Sequence, residues 1–440
     1  MHGKLKRFHG HGLFVSFLIL LSILSFVQPV SAQSDVLRFM SWNILNYTLD
    51  GVADHSESNR EPYYRTVIEN ADPDILVVLE MWSGNGSTRF MNNVLNVVAP
   101  GKWAVSNTQL IPTSSYDCQL YYRTDRNLSM GPIYIISAPI RSPIRFEIRY
   151  DNGGPASDTV FVYAVHLKAS NTTADQDVRA QQVSAVIDHM TRAIQPLTNR
   201  PVLFCGDFNL YTSSEPAWQN ATADGIFRDP INRVGSWTNN SGFADVHTQS
   251  PRISSTGYYD GGSTGGMDDR FDFILATPAL FDSTRMDYQP GSYMAYGNDG
   301  NHYNQSINYG QNAAVNDRVA DALYYASDHL PVIMDIVVGG FSSVDDRDLA
   351  GIPSQFRIVS VYPNPFNSTT NVAFALQRAG QVNLALFDIL GRQVWANEAG
   401  YLDAGIHRVA IHAKDLSSGV YLLRSTGAGM VDERKITLIR

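Results

Sequence analysis

A series of short apolar runs, several ending in a polar residue, constrains the fold of this chain most. Between residues 36 and 338 the runs are VLRFMSW, ILVVLEM, FVYAVHL, VLFCGDF, FDFILA and PVIMDIV, separated by polar loops. Runs of this length and composition predict strands, and at least one helix is predicted between them. The pattern indicates an α/β fold with a sheet at its centre.

The clearest helix is predicted over residues 174–194, where Thr172 or Thr173 is placed to cap the first turn. Its buried face is predicted to contain Val178, Gln182, Ala185, Val186 and Met190. We expect this face to pack on the sheet.

A second unit begins near residue 356, after a Ser-, Asp-, Gly- and Pro-containing segment, 341–355, that reads as a linker. Seven short, mostly alternating runs follow: RIVSVYP, NVAFALQ, VNLALFDI, VWANEA, HRVAIHA, VYLLRS and KITLIR. They predict a small all-β, immunoglobulin-like sandwich over residues 356–440. The first unit is predicted to span residues 33–340.

The first 32 residues have the order of a secretory signal peptide. Lys4, Lys6 and Arg7 precede an apolar run at 13–26, and small residues end at Ala32, after which cleavage is expected. The alternative is a membrane anchor, but the run is shorter than the roughly 20 residues that span a bilayer. No later run is long enough, so no stable membrane span is expected.

Charge and cysteine content limit the remaining classes. The net charge of -9 argues against a generally basic coat for nucleic acid, although it does not exclude a nuclease whose carboxylates surround a cation. Cys118 and Cys205 are the two cysteines, too few for a disulfide framework; whether they are bonded to each other is left open.

Polar groups recur at or near the ends of the predicted strands. They are Asn43, Glu80, His166, Asp207, Asn209, Asp272, Asp328 and His329. Burial of so many ionisable and amide groups costs several kcal/mol each unless they are paired or bind a cation. Carboxylate oxygens suit Mg²⁺ or Mn²⁺, and imidazoles can transfer protons, so the set predicts a phosphodiester-hydrolysing site.

The same residues, in this order, resemble the endonuclease/exonuclease/phosphatase superfamily, and GDFN together with SDHLP is the specific pair. The resemblance implies a layered α/β sandwich like that of deoxyribonuclease I. It implies that Glu80 is the principal metal ligand, with Asn43 beside it and Asp328 completing the surroundings of Mg²⁺ or Mn²⁺; Ca²⁺ is a further possibility.

The resemblance also assigns catalytic roles. It implies that Asp207 orients the attacking water or the leaving oxygen and that Asn209 binds the phosphate. It implies that His329 is the main catalytic imidazole, held by Asp272. His166 is expected to place the chain among the branches that carry histidine at this position. Leu79 departs from the glutamine that often precedes the metal-binding glutamate.

Five of the assignments have a structural alternative. Asn43 and Asn209 can form turns, Asp207 can cap one, Asp272 can pair with Arg270, and His329 can be a core histidine whose hydrogen bonds are satisfied. Other polar residues are expected to be ordinary surface groups: the histidines at 55, 189, 247 and 302, Arg179 on a solvated helix face, and Lys168 at a strand end. Contact with phosphate is the alternative for Arg179 and Lys168.

The Tyr-, Asn- and Gly-rich segment 291–312 has two equally weighted readings. Either it recognises substrate, or it is a long loop held by its own side chains. The residues that would contact substrate are Tyr293, Tyr296, Asn298, His302 and Asn304.

The tail resembles the C-terminal sorting domains of the type IX secretion system, on the motifs YPNPF, LFDILGRQV, LSSGVYLLR and KITLIR. That resemblance implies interaction with the secretion machinery and a secreted or cell-surface protein. A carbohydrate-binding or adhesion sandwich is the alternative.

The leading functional hypothesis is therefore an extracellular endonuclease acting on DNA or RNA. Sphingomyelinase-like or other phosphodiesterases, phosphomonoesterases, and a binding protein on a hydrolase scaffold are the alternatives.

Overall fold

The computed structural model describes residues 35–47, 57–82, 84–106, 118–152, 158–194, 200–254, 262–281, 286–338, 356–362, 366, 369–376, 378–402, 405–413, 416–427 and 429–438. The predicted signal peptide, the predicted linker and His55 lie outside these residues. The domain boundaries therefore stay predictions.

Two sheets and six helices form the described part of the first unit. The strands are β1 (Asp35–Tyr47), β2 (Ile75–Met81), β3 (Trp103–Val105), β4 (Cys118–Arg123), β5 (Leu128–Met130), β6 (Tyr134–Ile135), β7 (Ile144–Tyr150), β8 (Asp158–His166), β9 (Val202–Asp207), β10 (Asp272–Ala276), β11 (Met286–Tyr288), β12 (Met294–Ala295) and β13 (Val332–Val338). The helices are α1 (Glu57–Ala71), α2 (Gly84–Phe90), α3 (Asn96–Val98), α4 (Thr173–Ala193), α5 (Pro216–Thr222) and α6 (Asp317–Ala326).

The first sheet has the strand order β11-β13-β1-β2-β4-β3, with β12 also on β13, and the second has the order β10-β9-β8-β7-β5, with β6 also on β7. Each sheet contains one parallel pair, β1–β2 and β8–β9. A parallel pair requires a crossover, and α1 and α4 lie in those two connections.

Alternation along the strands produces three apolar layers. Phe39, Val77 and Leu203 belong to the cluster between the two sheets. Residues one position away face outwards: Met40 and Val78 pack with α1 and α6, and Phe204 packs with α4 and α5. The first unit is thus a helix–sheet–sheet–helix sandwich, and the predicted layered α/β fold is confirmed.

Helix α4 begins where the sequence predicts. Thr172 is the N-cap and forms a reciprocal capping box with Asp175. The buried residues of the helix are Arg179, Gln182, Val183, Val186 and Met190. The prediction that Arg179 lies on a solvated face is wrong, because its guanidinium forms a fully buried ion pair with Glu215.

The described part of the second unit contains seven strands. They are β14 (Arg357–Tyr362), β15 (Thr369–Leu376), β16 (Gly380–Phe387), β17 (Gln393–Leu402), β18 (Gly405–His412), β19 (Gly419–Gly427) and β20 (Met430–Leu438). They form two antiparallel sheets, β14-β15-β18 and β17-β16-β19-β20, that share one apolar core including Phe374, Leu384 and Leu423. The predicted small β-sandwich is confirmed.

The cysteines and the helix lengths bear on two questions that the sequence raised, a disulfide and a membrane span. Cys118 in β4 and Cys205 in β9 are both buried, and no disulfide joins them. Within the described residues, no helix is both long and apolar enough to cross a membrane.

Candidate functional site

Strand register brings the predicted polar residues together at one end of the two sheets. Asp207 ends β9 opposite His166 of the parallel strand β8 and opposite Asp272 of the antiparallel strand β10. Asn43 in β1 lies opposite Leu79 of β2, one residue before Glu80. These groups come from both sheets, so their meeting depends on how the sheets pack.

Gly206 explains why β9 can approach β8 closely before Asp207. Its φ is +133°, and a Cβ atom there would collide with the carbonyl oxygen of Val165. Only glycine accommodates this backbone without strain. The GD dipeptide therefore places the Asp207 carboxylate beside His166.

Glu80 is held in an unusual backbone conformation. Its φ is +62°, in the left-handed region that non-glycine residues rarely adopt. Its carboxylate accepts hydrogen bonds from Asn43 Nδ2 at 2.9 Å and from the backbone N–H of Asn46 at 2.8 Å. Backbone strain of this kind persists only where the surroundings fix the residue, and it is common at functional sites.

Asp207 is the centre of the cluster. Its Oδ2 atom lies 3.3 Å from Asn43 Nδ2, 3.6 Å from His166 Nε2 and 3.8 Å from His329 Nε2. Burial raises the pKa of Asp207 to about 6, although the two imidazoles act in the opposite direction. His166 Nε2 also lies 4.0 Å from Glu80 Oε1.

The His329 imidazole is fixed by Asp272. Its Nδ1 atom lies 2.7 Å from Asp272 Oδ2, and both residues are buried. Burial alone lowers the pKa of His329, but the charges of Asp272 and Asp328 and the Asp272 hydrogen bond together raise it well above its usual value. The alternative prediction, that Asp272 pairs with Arg270, is wrong, because Arg270 pairs with Asp229.

Asn209 and Asp328 lie at the margins of the cluster. Asn209 donates from Nδ2 to the carbonyl oxygen of Leu167 at 3.2 Å, and its backbone N–H donates to Asp207 Oδ1 at 3.0 Å. Asp328 accepts from the backbone N–H of Ser263 through Oδ2. Its Oδ1 atom is buried and has no hydrogen-bond partner in the described part of the chain.

The arrangement fits a divalent cation in part. Among the described residues, no three His, Cys, Asp or Glu side chains converge as one metal-binding group. However, Mg²⁺ commonly uses only one or two carboxylates and takes its other ligands from water and phosphate. The Asn43 NH₂ group donates to both the Glu80 and the Asp207 carboxylate, so two negatively charged groups lie close enough to share one positively polarised partner, as they would share a cation. Asp328 Oδ1 is a further carboxylate oxygen that is buried and has no hydrogen-bond partner in the described part of the chain.

The orientation of Asn43 differs from the expected ligand geometry. Its nitrogen faces the carboxylates, while its oxygen accepts from the Leu45 backbone N–H at 3.0 Å. In this orientation Asn43 positions Glu80. Direct coordination by its oxygen would require rotation of the amide group.

Three residues of the site were not singled out from the sequence. Thr248 Oγ1 accepts from the backbone N–H of Asp272, and Ser327 Oγ donates to the Asn43 carbonyl and accepts from the His329 N–H. Gln249 contacts His329 through its side chain. Thr248 and Gln249 lie in a loop without periodicity, so the sequence pattern does not identify them as site residues. Ser327 could have been identified, because it is the first residue of the SDHLP motif.

The polar segment 291–312 is held by its own side chains and by neighbouring loops. Arg270 donates to the Tyr293 hydroxyl, and Asn298 donates to the carbonyls of Ala244 and His247. His302 lies between Asp299 and the Tyr309 carbonyl. These contacts favour the structural reading of this segment.

The prediction that His247 and His302 are surface groups is wrong, because both are buried. The His247 ring nitrogens lie 3.3 Å from the Met267 carbonyl oxygen and 2.9 Å from the Trp237 carbonyl oxygen, and in the neutral ring the single N–H donates to one of the two. His189 is half-buried and contacts Tyr163. Lys168 is half-buried and pairs with Asp175.

Comparison with known proteins places these features in a family. A model of the "Endonuclease/Exonuclease/phosphatase family" matches residues 40–329, and a model of the "Secretion system C-terminal sorting domain" matches residues 360–438. No curated protein sequence gives a significant match.

Similar solved structures have low sequence identity. One is an endonuclease/exonuclease/phosphatase from Beutenbergia cavernae (17% identity, TM-score 0.42, 92% of this chain and 100% of that chain covered). Another, from Bacteroides vulgatus, has 15% identity, a TM-score of 0.45 and coverage of 69% and 99%. D. rerio TDP2 complexed with single strand DNA product has 14% identity, a TM-score of 0.43 and coverage of 68% and 98%.

The family model covers 290 of the 440 residues, counted from the matched range 40–329. The sorting-domain match indicates type IX secretion and a secreted or cell-surface protein. The chain therefore belongs to the endonuclease/exonuclease/phosphatase family and carries a secretion system C-terminal sorting domain.

Proposed function

We propose that this protein is a metal-dependent phosphodiester hydrolase that acts outside the cell as an endonuclease on DNA or RNA. One observation carries the proposal: the imidazoles of His166 and His329 both face Asp207 Oδ2, and Asp272 fixes His329 from the opposite side. A carboxylate between two imidazoles, beside a second carboxylate, suits proton transfer at a phosphoryl group.

Glu80 would hold Mg²⁺ or Mn²⁺, with Asn43 positioning its carboxylate and Asp328 completing the surroundings. When bound, such a cation polarises the phosphoryl oxygens and offsets the charge that develops in the transition state. The unpartnered Asp328 oxygen and the shared amide group of Asn43 support this assignment.

Asp207 would orient the attacking water or the leaving oxygen. With its pKa raised to about 6, its carboxylate is mostly ionised at neutral pH yet basic enough to take a proton from water. His329 would stabilise the developing charge through Nε2–H, because Asp272 holds its Nδ1–H and fixes the ring orientation.

Asn209 would bind a phosphoryl oxygen, and the nearby guanidinium of Arg141 would add a positive charge at the same place. The Arg141 guanidinium donates to the Leu167 carbonyl at 3.1 Å, and the Asn209 amide donates to the same oxygen. The side chain of Arg141 is half-buried, so its positive charge lies at the margin of the site. A cation beside an amide donor suits a negatively charged diester.

Export would bring the site outside the cell, where DNA and RNA are the proposed substrates. The predicted signal peptide would direct the chain across the inner membrane, and the sorting domain would contact the type IX machinery at the outer membrane. Removal of the tail would then release the hydrolase or leave it at the surface.

One observation favours a second candidate, a phosphodiesterase acting on lipid head groups. Tyr134, Ile135 and Ile140 are 46%, 45% and 59% exposed within one short segment, which the sequence did not single out as apolar. Arg141, next in the chain, contacts Leu167 beside the site. Exposed apolar side chains close to a phosphodiester site would suit docking on a membrane.

A substrate panel tests the proposal. The full chain would be assayed on plasmid DNA, RNA, sphingomyelin liposomes and a phosphomonoester, with Mg²⁺ and then with excess chelator. Chelator-sensitive cleavage of DNA or RNA is the expected result. Selective release of the sphingomyelin head group would support the lipid candidate, and saturable binding without cleavage of any substrate would contradict both.

An Ile140→Ser variant separates the two candidates further. The lipid candidate requires loss of activity on liposomes, whereas nucleic-acid cleavage should not change. Val234→Ser provides a matched control, since Val234 is 52% exposed on a different loop.

A further inference from the structure

Gln249 occupies the nitrogen of His329 that the proposed reaction requires. The Gln249 Nε2 atom lies 2.5 Å from His329 Nε2, while Asp272 Oδ2 lies 2.7 Å from Nδ1. Both ring nitrogens therefore contact protein groups. A phosphoryl oxygen can bind Nε2 only if the Gln249 amide leaves this position or shares it.

The amide group can satisfy His329 in either protonation state. Its oxygen accepts when Nε2 carries a proton, and its NH₂ group donates when Nε2 does not. Rotation of the terminal amide exchanges the two ends. Gln249 can thus hold the imidazole in the absence of substrate without requiring one tautomer.

The backbone of Gln249 is fixed on both sides, so only its side chain is free to move. The Gln249 N–H donates to the Asp269 carbonyl at 3.1 Å, and the Asp269 N–H donates to the Gln249 carbonyl at 3.0 Å. Bridges pair Gln249 with His329 on one side and with Asp269 on the other. Paired residues of antiparallel segments project to the same face, which places the three side chains in one row.

Asp269 provides a second acceptor for the amide. Its Oδ1 atom is buried and makes no close hydrogen bond in the described part of the chain, although the Thr238 hydroxyl lies near the same carboxylate. A buried oxygen without a close hydrogen bond is unfavourable, and an NH₂ group that turned towards it would satisfy it. The row therefore offers Gln249 two positions, one on His329 and one on Asp269.

We infer that Gln249 is a placeholder for the substrate: its carboxamide occupies His329 Nε2 in the free protein and turns to Asp269 Oδ1 when a phosphoryl oxygen binds. This inference rests on the proposed function, because it assumes that phosphate binds at His329. Gln249 is a positioning residue in this scheme and does not enter the chemical step.

The scheme predicts that one substitution raises phosphate affinity and that two others lower it. Gln249→Ala removes the competitor, so phosphate affinity should rise roughly two- to tenfold, the range that one net hydrogen bond allows. Gln249→Glu should bind the imidazole more strongly and repel phosphate, which lowers affinity at least about tenfold. Asp269→Asn weakens the second position, and affinity should fall several-fold.

The test is calorimetric titration of inorganic phosphate into the Mg²⁺-loaded full chain. In the double variant Gln249→Ala/Asp269→Asn, the effect of Asp269→Asn should disappear, since the amide that uses Asp269 is absent. Gln181→Ala, an exposed glutamine on α4, is the control and should not change affinity. On a cleaved substrate, Gln249→Ala should lower KM and leave kcat within about threefold.

Weaker phosphate binding by Gln249→Ala would overturn the inference, because the amide would then be a phosphate ligand. Unchanged affinity in Gln249→Ala, or absence of phosphate binding in every variant, would overturn it as well. Phosphate affinity is measured without turnover, so an inactive protein with the predicted affinity shifts would contradict only the proposed function.

Discussion

Replacement of Asp272 by asparagine isolates the contribution of one buried charge to the proposed reaction. The amide oxygen of asparagine can still accept from His329 Nδ1–H, so the ring orientation is preserved while the negative charge is lost. Asp272 and His329 are both almost inaccessible to solvent, and their contact is 2.7 Å long. Solvent therefore screens this charge little.

The expected magnitude follows from that geometry. A hydrogen bond to a charged group contributes about 1.5–3 kcal/mol net, and without the Asp272 charge a smaller fraction of His329 is cationic and able to stabilise the charge that develops in the transition state. Each 1.36 kcal/mol corresponds to a tenfold change in rate, so kcat should fall roughly 10- to 150-fold. KM should change little, because Asp272 does not contact the substrate in the proposed scheme.

The assay is steady-state hydrolysis of the best substrate of the panel, with thermal unfolding measured in parallel. Asp335→Asn is a matched control: Asp335 is a buried carboxylate in β13 that pairs with Arg38, not with a residue of the site. The control should lose some stability and retain kcat. A folded Asp272→Asn variant with kcat within twofold of the unmodified protein would refute the reasoning.

Three further predictions concern the metal, a loop and a buried ion pair. Excess chelator should abolish turnover, and Mg²⁺ or Mn²⁺ should restore it; activity that persists in chelator would contradict the role of Glu80. Burial opposes ionisation of Asp299, but hydrogen bonds from Ala313, Asn301 and His302 outweigh it and lower its pKa to about 2. Its stabilisation is therefore complete above the unfolded pKa of about 3.9 and is lost as pH falls towards 2. Asp299→Asn should lower the free energy of unfolding by about 2 kcal/mol at pH 7, with the difference narrowing below about pH 4 in urea unfolding; a constant difference from pH 7 to pH 3 would oppose this. Arg179→Met should cost about 3–5 kcal/mol by leaving the Glu215 carboxylate buried and unpaired, whereas unchanged unfolding would argue that Glu215 is readily solvated or protonated.

The sequence predicted those parts of the protein that depend on local pattern. Short apolar runs identified six strands of the two sheets, β1, β2, β8, β9, β10 and β13, but not the other seven, most of which are shorter. Mostly alternating runs identified the seven strands of the C-terminal sandwich. Polar residues at strand ends were informative because register then brings them together, as for His166, Asp207 and Asp272. The catalytic and metal-binding roles of these residues remain predictions.

Contacts between loops could not be predicted in the same way. Gln249 reaches His329 from a segment without periodicity, and its position depends on bridges to residues 20 and 80 positions away in the chain. His247 and His302 are buried among loops, where they contact the Trp237 and Tyr309 carbonyls and the Asp299 carboxylate. No sequence spacing predicts these contacts. The burial of Arg179 could not be predicted from the periodicity of α4. Its partner Glu215 follows β9, a different part of the chain, and only the folded structure brings the two side chains together.

The central claim is that the cluster around Asp207 hydrolyses a phosphodiester with the assistance of His329. The most direct test is the kcat of His329→Ala on the best phosphodiester substrate, in Mg²⁺, with circular dichroism as a check of the fold. We expect a decrease of at least about 100-fold with the fold intact. Turnover equal to that of the unmodified protein would contradict the claim.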